Sequence, residues 1–420
     1  MSPNYRAVIR GIRELHKLTV DRQEDSPAAD AVRDATDQHW EALTESERKR
    51  ASNLSEDLYS ITDPCAAVLE MNPQAQAKLI EAYEAKQSGE WDRALDLLRR
   101  WGRFIDSSLI SYSRGSIWTE AGDLETAVLF YEHASRLQPD SGNYLAIFLY
   151  ELDQVDPTEA RRRAEEILRE PHGFPPLAVA SAAEIAFKAT PTLSAAESTE
   201  ITRRLITILK STLMRIEAGD ENERDRSARE LTVGLLGFYH EFLGEMQAAL
   251  DYFSRGLEAK PFNEGLLVAR GILLYGSSPR AVTDFELAVQ RGTSVIWPYF
   301  FLAHRFLVDK RFEPCRVHCE KALGMPGSAT VKSELSEWMA IAQSELGFPV
   351  EMVRASFDNA IRFDPSNQRA RRNLAAFEAA IRPLPEGAWE TRSTTLVRAL
   401  GLAETTLVRT LWVAEWRFAA

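Results

Sequence analysis

The chain has 420 residues, a formal net charge of −12, a hydrophobic content of 45% and three cysteines. Its apolar residues are sufficient for a packed core, but no apolar run is long enough for a transmembrane helix. Cys65, Cys315 and Cys319 do not make a disulfide framework, and the acidic balance argues against broad binding to nucleic-acid phosphates. Since the first residues also lack the apolar core of a signal peptide, we expect a cytoplasmic protein without integral membrane contact.

The first 70 residues predict three helices that are separate from the rest of the pattern. Residues 4–19 form an amphipathic helix whose apolar stripe is Tyr5, Val8, Ile9, Ile12 and Leu15. This stripe is short and lacks Trp and Phe, so we favour packing on the body of the protein over binding to an anionic membrane. Ser26-Pro27 and Thr44 begin two further helices, to about Ala42 and Tyr59. These helices either cap the following array or form a small separate bundle.

The stretch Ser108–Ser141 is the clearest structural unit. Numbered from Ser108, its positions 8, 20 and 27 are small, while positions 11 and 24 are large: Gly115, Ala127, Ala134, Trp118 and Tyr131. These positions lie on facing sides of two helices, so the small residues allow close approach and the large ones fill the space beside them. Gly122 supplies the turn, and Pro139 ends the second helix.

This unit resembles a tetratricopeptide repeat (TPR), a helical hairpin with a period of about 34 residues. Position 4, usually Trp, is Ser111 here, and position 7, usually Leu, is Arg114. The resemblance implies an all-α fold, a right-handed α-solenoid of stacked helical hairpins. It places N-terminal helices at residues 1–70, the array at 71–385 and a C-terminal helical tail at 386–420.

We predict about eight helix pairs in the array, with an irregular stretch at residues 172–229. Gly89, Gly244, Gly276 and Gly347 mark further turns. The small residue of position 20 and the residue of position 24 recur as Ala249 and Phe253, Ala281 and Phe285, and Cys315 and Cys319. The last predicted helix of the array, 367–381, carries Arg369, Arg371 and Arg372, which is typical of the polar outer face of a terminal cap.

The tail contains a predicted helix over residues 394–418 that is apolar on two sides, which is typical of a buried helix. Three roles are open: packing on the last repeat, which we favour, filling the protein's own groove, or pairing with another subunit. The third role would make the chain a homo-oligomer.

No catalytic or cofactor motif is present. The sequence contains no P-loop, no dinucleotide-binding glycine motif and no nucleophile elbow. His240-Glu241 lacks the second histidine of a zinc-protease helix. Cys315, His318 and Cys319 are close enough on one helix to hold a metal, but Cys315 and Cys319 occupy core positions, so we interpret them as packing residues. We therefore predict that the chain is not an enzyme and has no cofactor or metal.

The first helices of TPR hairpins line a concave groove, and the resemblance assigns positions 2, 5, 9 and 12 to it. Apolar and aromatic residues at these positions are Tyr83, Tyr112, Leu231, Phe238, Trp297 and Phe300. Large aromatic side chains suit recognition of a peptide or helix, although an aromatic residue on a first helix is more often a core residue. The Lys, Asn and Arg set with which some TPR proteins clamp a carboxylate is not carried here.

The leading hypothesis is a non-catalytic interaction scaffold that binds a protein segment in this groove. One alternative is a regulatory module that is autoinhibited by the tail or self-associates through it. A less favoured alternative is an RNA-binding helical repeat, which would require basic residues at successive groove positions. Arg161–Arg163 form such a basic run, but on a second helix where we expect them to face solvent.

Overall fold

The computed structural model describes residues 2–61, 68–188, 190, 193–219 and 223–381, and these residues contain twenty α-helices and no strand. The N-terminal helices are α1 (Pro3–Val20), α2 (Pro27–Trp40) and α3 (Glu45–Tyr59). Eight pairs follow: α4 (Pro73–Gln87) and α5 (Trp91–Trp101), α6 (Ser107–Glu120) and α7 (Leu124–Leu137), α8 (Gly142–Val155) and α9 (Pro157–Arg169), α10 (Pro176–Lys188) and α11 (Ala195–Ala218), α12 (Glu223–Phe242) and α13 (Met246–Ala259), α14 (Glu264–Leu274) and α15 (Arg280–Gln290), α16 (Ile296–Val308) and α17 (Phe312–Leu323), α18 (Ala329–Glu345) and α19 (Val350–Phe363). The last described helix is α20 (Gln368–Ile381).

The predicted all-α class is confirmed by these helices, while the predicted count of about eight hairpins stays a prediction. Gly89, Gly122, Gly244, Gly276 and Gly347 stand at the predicted turns with positive φ. At Gly122 φ is 81°, a conformation that favours glycine because it has no Cβ. The handedness of the predicted solenoid stays a prediction, and the predicted tail (386–420) lies outside the described residues.

The chain divides into two compact units. Of the described residues, the first unit contains those up to 188 and those within Thr207–Thr232, and the second contains those within Thr190–Ile206 and those from Val233 to Ile381. This division of the helices differs from the predicted domain boundaries at residues 70 and 385. Those boundaries stay predictions.

Close approach of a glycine to an aromatic ring joins the two helices of several hairpins. A Cβ atom added to Gly115 would lie 2.8 Å from the ring of Tyr131. The corresponding distance is 2.3 Å from Gly237 to Phe253 and 2.6 Å from Gly271 to Phe285. Real carbon atoms do not pack at such distances, so each glycine provides the space that the ring occupies.

The N-terminal helices pack on the first repeats. Tyr5, Val8 and Ile9 of α1 are buried, which confirms the packing interpretation of this helix. Arg13, outside the apolar stripe, donates a hydrogen bond of 2.7 Å to Asp123 at the start of α7 and is also ion-paired with Glu125. The helix therefore uses one of its basic side chains for attachment.

A buried ion cluster makes a second attachment. Asp57 of α3, 1% exposed, accepts hydrogen bonds of 3.0 and 2.8 Å from Arg99 of α5. Arg114 of α6 pairs with the same carboxylate at 3.1 Å and donates to the Ser60 hydroxyl at 2.7 Å. One carboxylate of an N-terminal helix thus holds guanidinium groups from two successive repeats.

The second unit ends in a comparable network. Glu337 of α18 is fully buried and accepts hydrogen bonds from Arg369 and Asn373 of α20. Arg369 also pairs with Glu334. The predicted solvent-facing role is therefore wrong for Arg369, because it points to buried carboxylates on the preceding hairpin, while Arg371 and Arg372 are exposed.

Replacement of Gly237 by Ala should destabilise the protein by about 1–3 kcal/mol, because the new methyl group would overlap the Phe253 ring. Gly265→Ala is the matched control: Gly265 lies in the first turn of a helix, and its added Cβ would meet only the Asn263 Oδ1 atom at 3.6 Å. Here we expect a gain of up to about 1 kcal/mol from helix propensity. Urea unfolding followed by circular dichroism distinguishes the two outcomes, and similar changes for both variants would contradict the packing argument.

Replacement of Asp57 by Asn should lower the free energy of unfolding by about 3–5 kcal/mol, since it leaves two largely buried guanidinium groups without their carboxylate. The control is Glu56→Gln, one residue earlier, where the side chain is 68% exposed and 3.8 Å from Arg99. That change should cost less than about 0.5 kcal/mol. Equal losses in thermal unfolding of the two variants would show that Asp57 is not the attachment point.

Candidate functional site

Three side-chain hydrogen bonds connect the first helices of the first unit to one another. Lys86 of α4 donates to the Ser116 hydroxyl of α6 at 2.6 Å, and Thr119 of α6 donates to Glu151 of α8 at 3.3 Å. Lys188 of α10 donates to Asp153 of α8 at 3.1 Å. The first helices α4, α6, α8 and α10 therefore form one continuous surface.

A repeated register defines this surface. Tyr83, Ser116, Tyr150 and Glu184 follow one another at intervals of 33, 34 and 34 residues, so they occupy the same position of four successive first helices. Lys86, Thr119 and Asp153 form a second row at the same intervals. We use the name first-helix face for the surface formed by Tyr83, Lys86, Tyr112, Ser116, Thr119, Tyr150, Asp153 and Glu184.

Tyrosines supply the accessible aromatic area of the first-helix face. Tyr83 is 62% exposed and Tyr150 is 55% exposed. Tyr112 is half-buried, and its ring centroid lies 5.3 Å from that of Tyr144 and 5.7 Å from that of Tyr131. Such side chains offer both apolar contact and a hydroxyl group to a bound segment.

The predicted site residue Tyr83 is thus exposed and Tyr112 partly accessible, while Tyr150 was not predicted. It occupies the same repeat position as Tyr83, 67 residues later, so the period of the array would have identified it. It was missed because the third hairpin carries fewer of the diagnostic small and large residues.

The structure contradicts the predicted groove positions of Trp297 and Phe300 of α16. Phe300 is fully buried, with its ring centroid 4.7 Å from that of Trp338, and Trp297 is 8% exposed and packs edge-on against Phe300. The reason is the composition of α16, which is apolar on nearly every side and packs against α14, α15, α17 and α18. A helix of this kind is a core element, so a partner cannot reach Phe300 in this conformation.

Leu231 and Phe238 of α12 are neither exposed nor fully buried; both side chains are half-buried. The Phe238 ring meets the Phe253 ring at a centroid distance of 5.1 Å in an edge-on arrangement. Phe238 therefore contributes to its own hairpin core, and its contact with a partner stays a prediction.

Two carboxyl groups, Glu151 on α8 and Glu184 on α10, are not fully compensated by nearby cations. Glu151 is 3% exposed and accepts hydrogen bonds from Thr119 and from Gln154. Within the described residues no Lys, Arg or His nitrogen lies within 4 Å of it. Desolvation raises the pKa of Glu151, and the hydrogen bond from Thr119 opposes this rise. Desolvation also raises the pKa of Glu184, where Lys188 lowers it and Asp153 raises it.

The residues weighed for metal binding or catalysis are part of the packing. Cys315 and Cys319 are fully buried in α17, and desolvation raises the pKa of the Cys319 thiol. His240 is 5% exposed and stacks on Tyr252 at a centroid distance of 5.4 Å. Across the described ranges, no group of three or more His, Cys, Asp or Glu residues is arranged to hold a metal ion.

The basic run on α9 is neutralised locally. Arg162 is ion-paired with Glu159 and Glu166 of the same helix, and Arg163 pairs with Glu159 at 2.9 Å. These arginines are consistent with the expected solvated helix face. No helix in the described part of the chain is long and apolar enough to cross a membrane.

No protein-family model matches the sequence, and no curated protein matches it either. Among solved structures, the chain is similar to a tetratricopeptide repeat protein from Parabacteroides merdae, with 14% identity, 65% of this chain and 100% of that chain covered, and a TM-score of 0.41. It is also similar to the C-terminal part of a TPR repeat-containing protein from Cytophaga hutchinsonii, with 13% identity, coverage of 70% and 98%, and a TM-score of 0.33. The bounds and packing of this chain's own helices are the evidence for their pairing.

Replacement of Glu151 by Gln should stabilise the protein at pH 7. Because the folded-state pKa of Glu151 is raised, ionising this carboxyl group costs more free energy in the folded than in the unfolded state. The parent protein therefore loses stability as pH rises above 4.5, the ordinary pKa of a glutamate. The advantage of the variant should therefore vanish below that pH. Glu84→Gln, at an exposed position of α4, is the control and should change stability by less than about 0.5 kcal/mol. Thermal unfolding across pH tests this, and a destabilised variant at pH 7 would contradict it.

Proposed function

We propose that this chain is a non-catalytic interaction scaffold and that the first-helix face binds a peptide or helical segment of a protein partner. The observation that carries this proposal is the row of register positions on four successive first helices, in which Tyr83 and Tyr150 are largely exposed. Exposed large aromatic side chains that recur at a fixed repeat position suit a linear ligand that runs across the hairpins.

The charges on the first-helix face suggest the chemistry of the partner. Lys86 is compensated by Glu120 at 2.8 Å and Lys188 by Asp153 at 3.1 Å, whereas Glu151 has no cation within 4 Å among the described residues and Glu184 is only partly compensated. Because Glu151 is 3% exposed, the accessible carboxyl group is the half-buried Glu184 of α10, where a Lys or Arg side chain of a partner would supply charge and gain strength from the low local dielectric. We therefore propose a partner segment with apolar or aromatic residues and at least one basic residue.

An RNA ligand is less well supported. Lys86 of the first-helix face and Lys188 beside it are both ion-paired, and Arg162 and Arg163 of α9 are paired with Glu159 of their own helix. RNA binding requires basic groups that are free to meet phosphates.

A selection from a random-peptide display library with the full chain as bait tests this proposal. We expect selected peptides to combine apolar or aromatic residues with Lys or Arg. In the double variant Tyr83→Ser, Tyr150→Ser their affinity should fall about tenfold or more, because two exposed aromatic contacts are lost. The matched control is Tyr59→Ser in α3, where the tyrosine is 64% exposed but lies outside the first-helix face.

Each variant is first compared with the parent by circular dichroism, and affinities are measured by fluorescence anisotropy. Peptides that bind the double variant as well as the parent would place the binding surface elsewhere. If peptides are selected only after residues 386–420 are deleted, the tail competes for the surface, and the autoinhibited alternative would replace the open scaffold.

A further inference from the structure

A cavity of about 320 Å³ in the first unit is separate from the first-helix face. It lies between α3, α5 and α6, and none of the residues that define the first-helix face lines it. Its polar lining residues are three arginines, a histidine and three serines: Arg99, Arg103, Arg114, His133, Ser60, Ser107 and Ser111. Leu98, Ile105 and Ile110 form part of its apolar wall.

Positive charge exceeds negative charge around this cavity. The buried Asp57 carboxylate is shared by Arg99 and Arg114. Arg103 is exposed and lies over the Phe104 ring at 5.6 Å, and it has no ion pair among the described residues. Glu56 lies 3.8 Å from Arg99 and is 68% exposed, and Asp96 lies 3.6 Å from Arg99 and is 38% exposed, so solvent weakens both contacts. Among the described residues, three guanidinium groups thus face one buried carboxylate and two carboxylates that are partly screened by solvent.

Hydrogen-bonding capacity at the cavity is also incompletely used. Arg114 is 5% exposed, and its Nε atom is buried without a hydrogen-bond partner. Burial lowers the pKa of Arg114, and the nearby Arg99 lowers it further, as expected for a guanidinium in an unfavourably positive environment. A buried donor without an acceptor costs free energy that a bound anion would recover.

His133 adds polar contacts without further charge. Its Nδ1 atom lies 2.8 Å from the Ser111 hydroxyl oxygen. Desolvation, with contributions from Arg136 and Arg114, lowers its pKa to about 4, so the imidazole is neutral at pH 7. The cavity therefore offers guanidinium, hydroxyl and imidazole groups, and the Arg103 guanidinium has no ion pair among the described residues.

We propose that this cavity binds a phosphate group. A phosphate monoester carries about −1.5 to −2 charges at pH 7 and three acceptor oxygens, which match the charge excess and the guanidinium donors better than a single carboxylate would. The apolar wall provides contact for the carbon part of the ligand. Two sources share this chemistry, a small phosphorylated molecule and a phosphorylated side chain of a peptide.

Isothermal titration of the full chain tests the proposal with two probes: inorganic phosphate, and a short capped peptide with one phosphoserine, measured beside its unphosphorylated twin. We expect saturable one-to-one binding of phosphate. Arg103→Gln should weaken it about tenfold through loss of one charge-assisted contact. Arg103 is suited to the test because it is exposed and outside any ion pair, whereas replacement of Arg114 would remove a buried structural contact.

The matched control is Arg100→Gln, since Arg100 is 69% exposed, pairs with Asp96 and does not line the cavity. Binding should be unchanged in this variant. A phosphopeptide that binds more tightly than phosphate, while its unphosphorylated twin does not bind, identifies a peptide ligand; equal affinity identifies a small molecule. Absence of saturable binding by both probes, or equal weakening by Arg103→Gln and Arg100→Gln, overturns the proposal.

This site and the proposed scaffold function are tested independently. The Tyr83→Ser, Tyr150→Ser variant should bind phosphate like the parent, because neither tyrosine lines the cavity. Loss of phosphate binding in that variant would contradict the assignment of the cavity.

Discussion

The structure depends on how closely the two helices of a hairpin approach each other. A small residue on one helix, facing a large residue on the other, sets this distance. Gly115, Gly237 and Gly271 each leave only the space that an aromatic ring of the second helix fills. Gly237 and Gly271 are 34 residues apart, one period of the array. The row that contains Tyr83, Ser116, Tyr150 and Glu184 has the same period to within one residue, so the candidate binding surface follows the register of the repeats.

Local features of the fold could be predicted from the sequence because their causes are local. Turn glycines, helix-capping residues such as Thr44, and the spacing of small and large residues act within one hairpin, and the structure confirms them. The buried role of Trp297 and Phe300 depends on which helices flank α16, and a single repeat does not contain that information. The same holds for Arg369, whose acidic partners are 32 and 35 residues away.

Two parts of the first unit differ in which charged groups are buried. On α8 a carboxyl group is desolvated with no cation beside it in the described ranges, while around α5 and α6 two guanidinium groups share one carboxylate. The net charge of the whole chain, −12, suggests neither feature, because formal charge does not report which groups are removed from water. The composition argument against broad phosphate binding therefore remains compatible with a single phosphate pocket.

The attachment of α3 to the repeats has a consequence for where this protein can be cut. The repeat pattern begins at Asn72-Pro73, and a boundary chosen from that pattern would separate Asp57 from Arg99 and Arg114. The shortened array would retain Arg99 and Arg114 without the buried carboxylate that both share, so we expect the smallest autonomous folding unit to begin before the first repeat. In evolutionary terms, the N-terminal helices and the first two hairpins are expected to be inherited together, and hairpins can be gained or lost more freely elsewhere in the array.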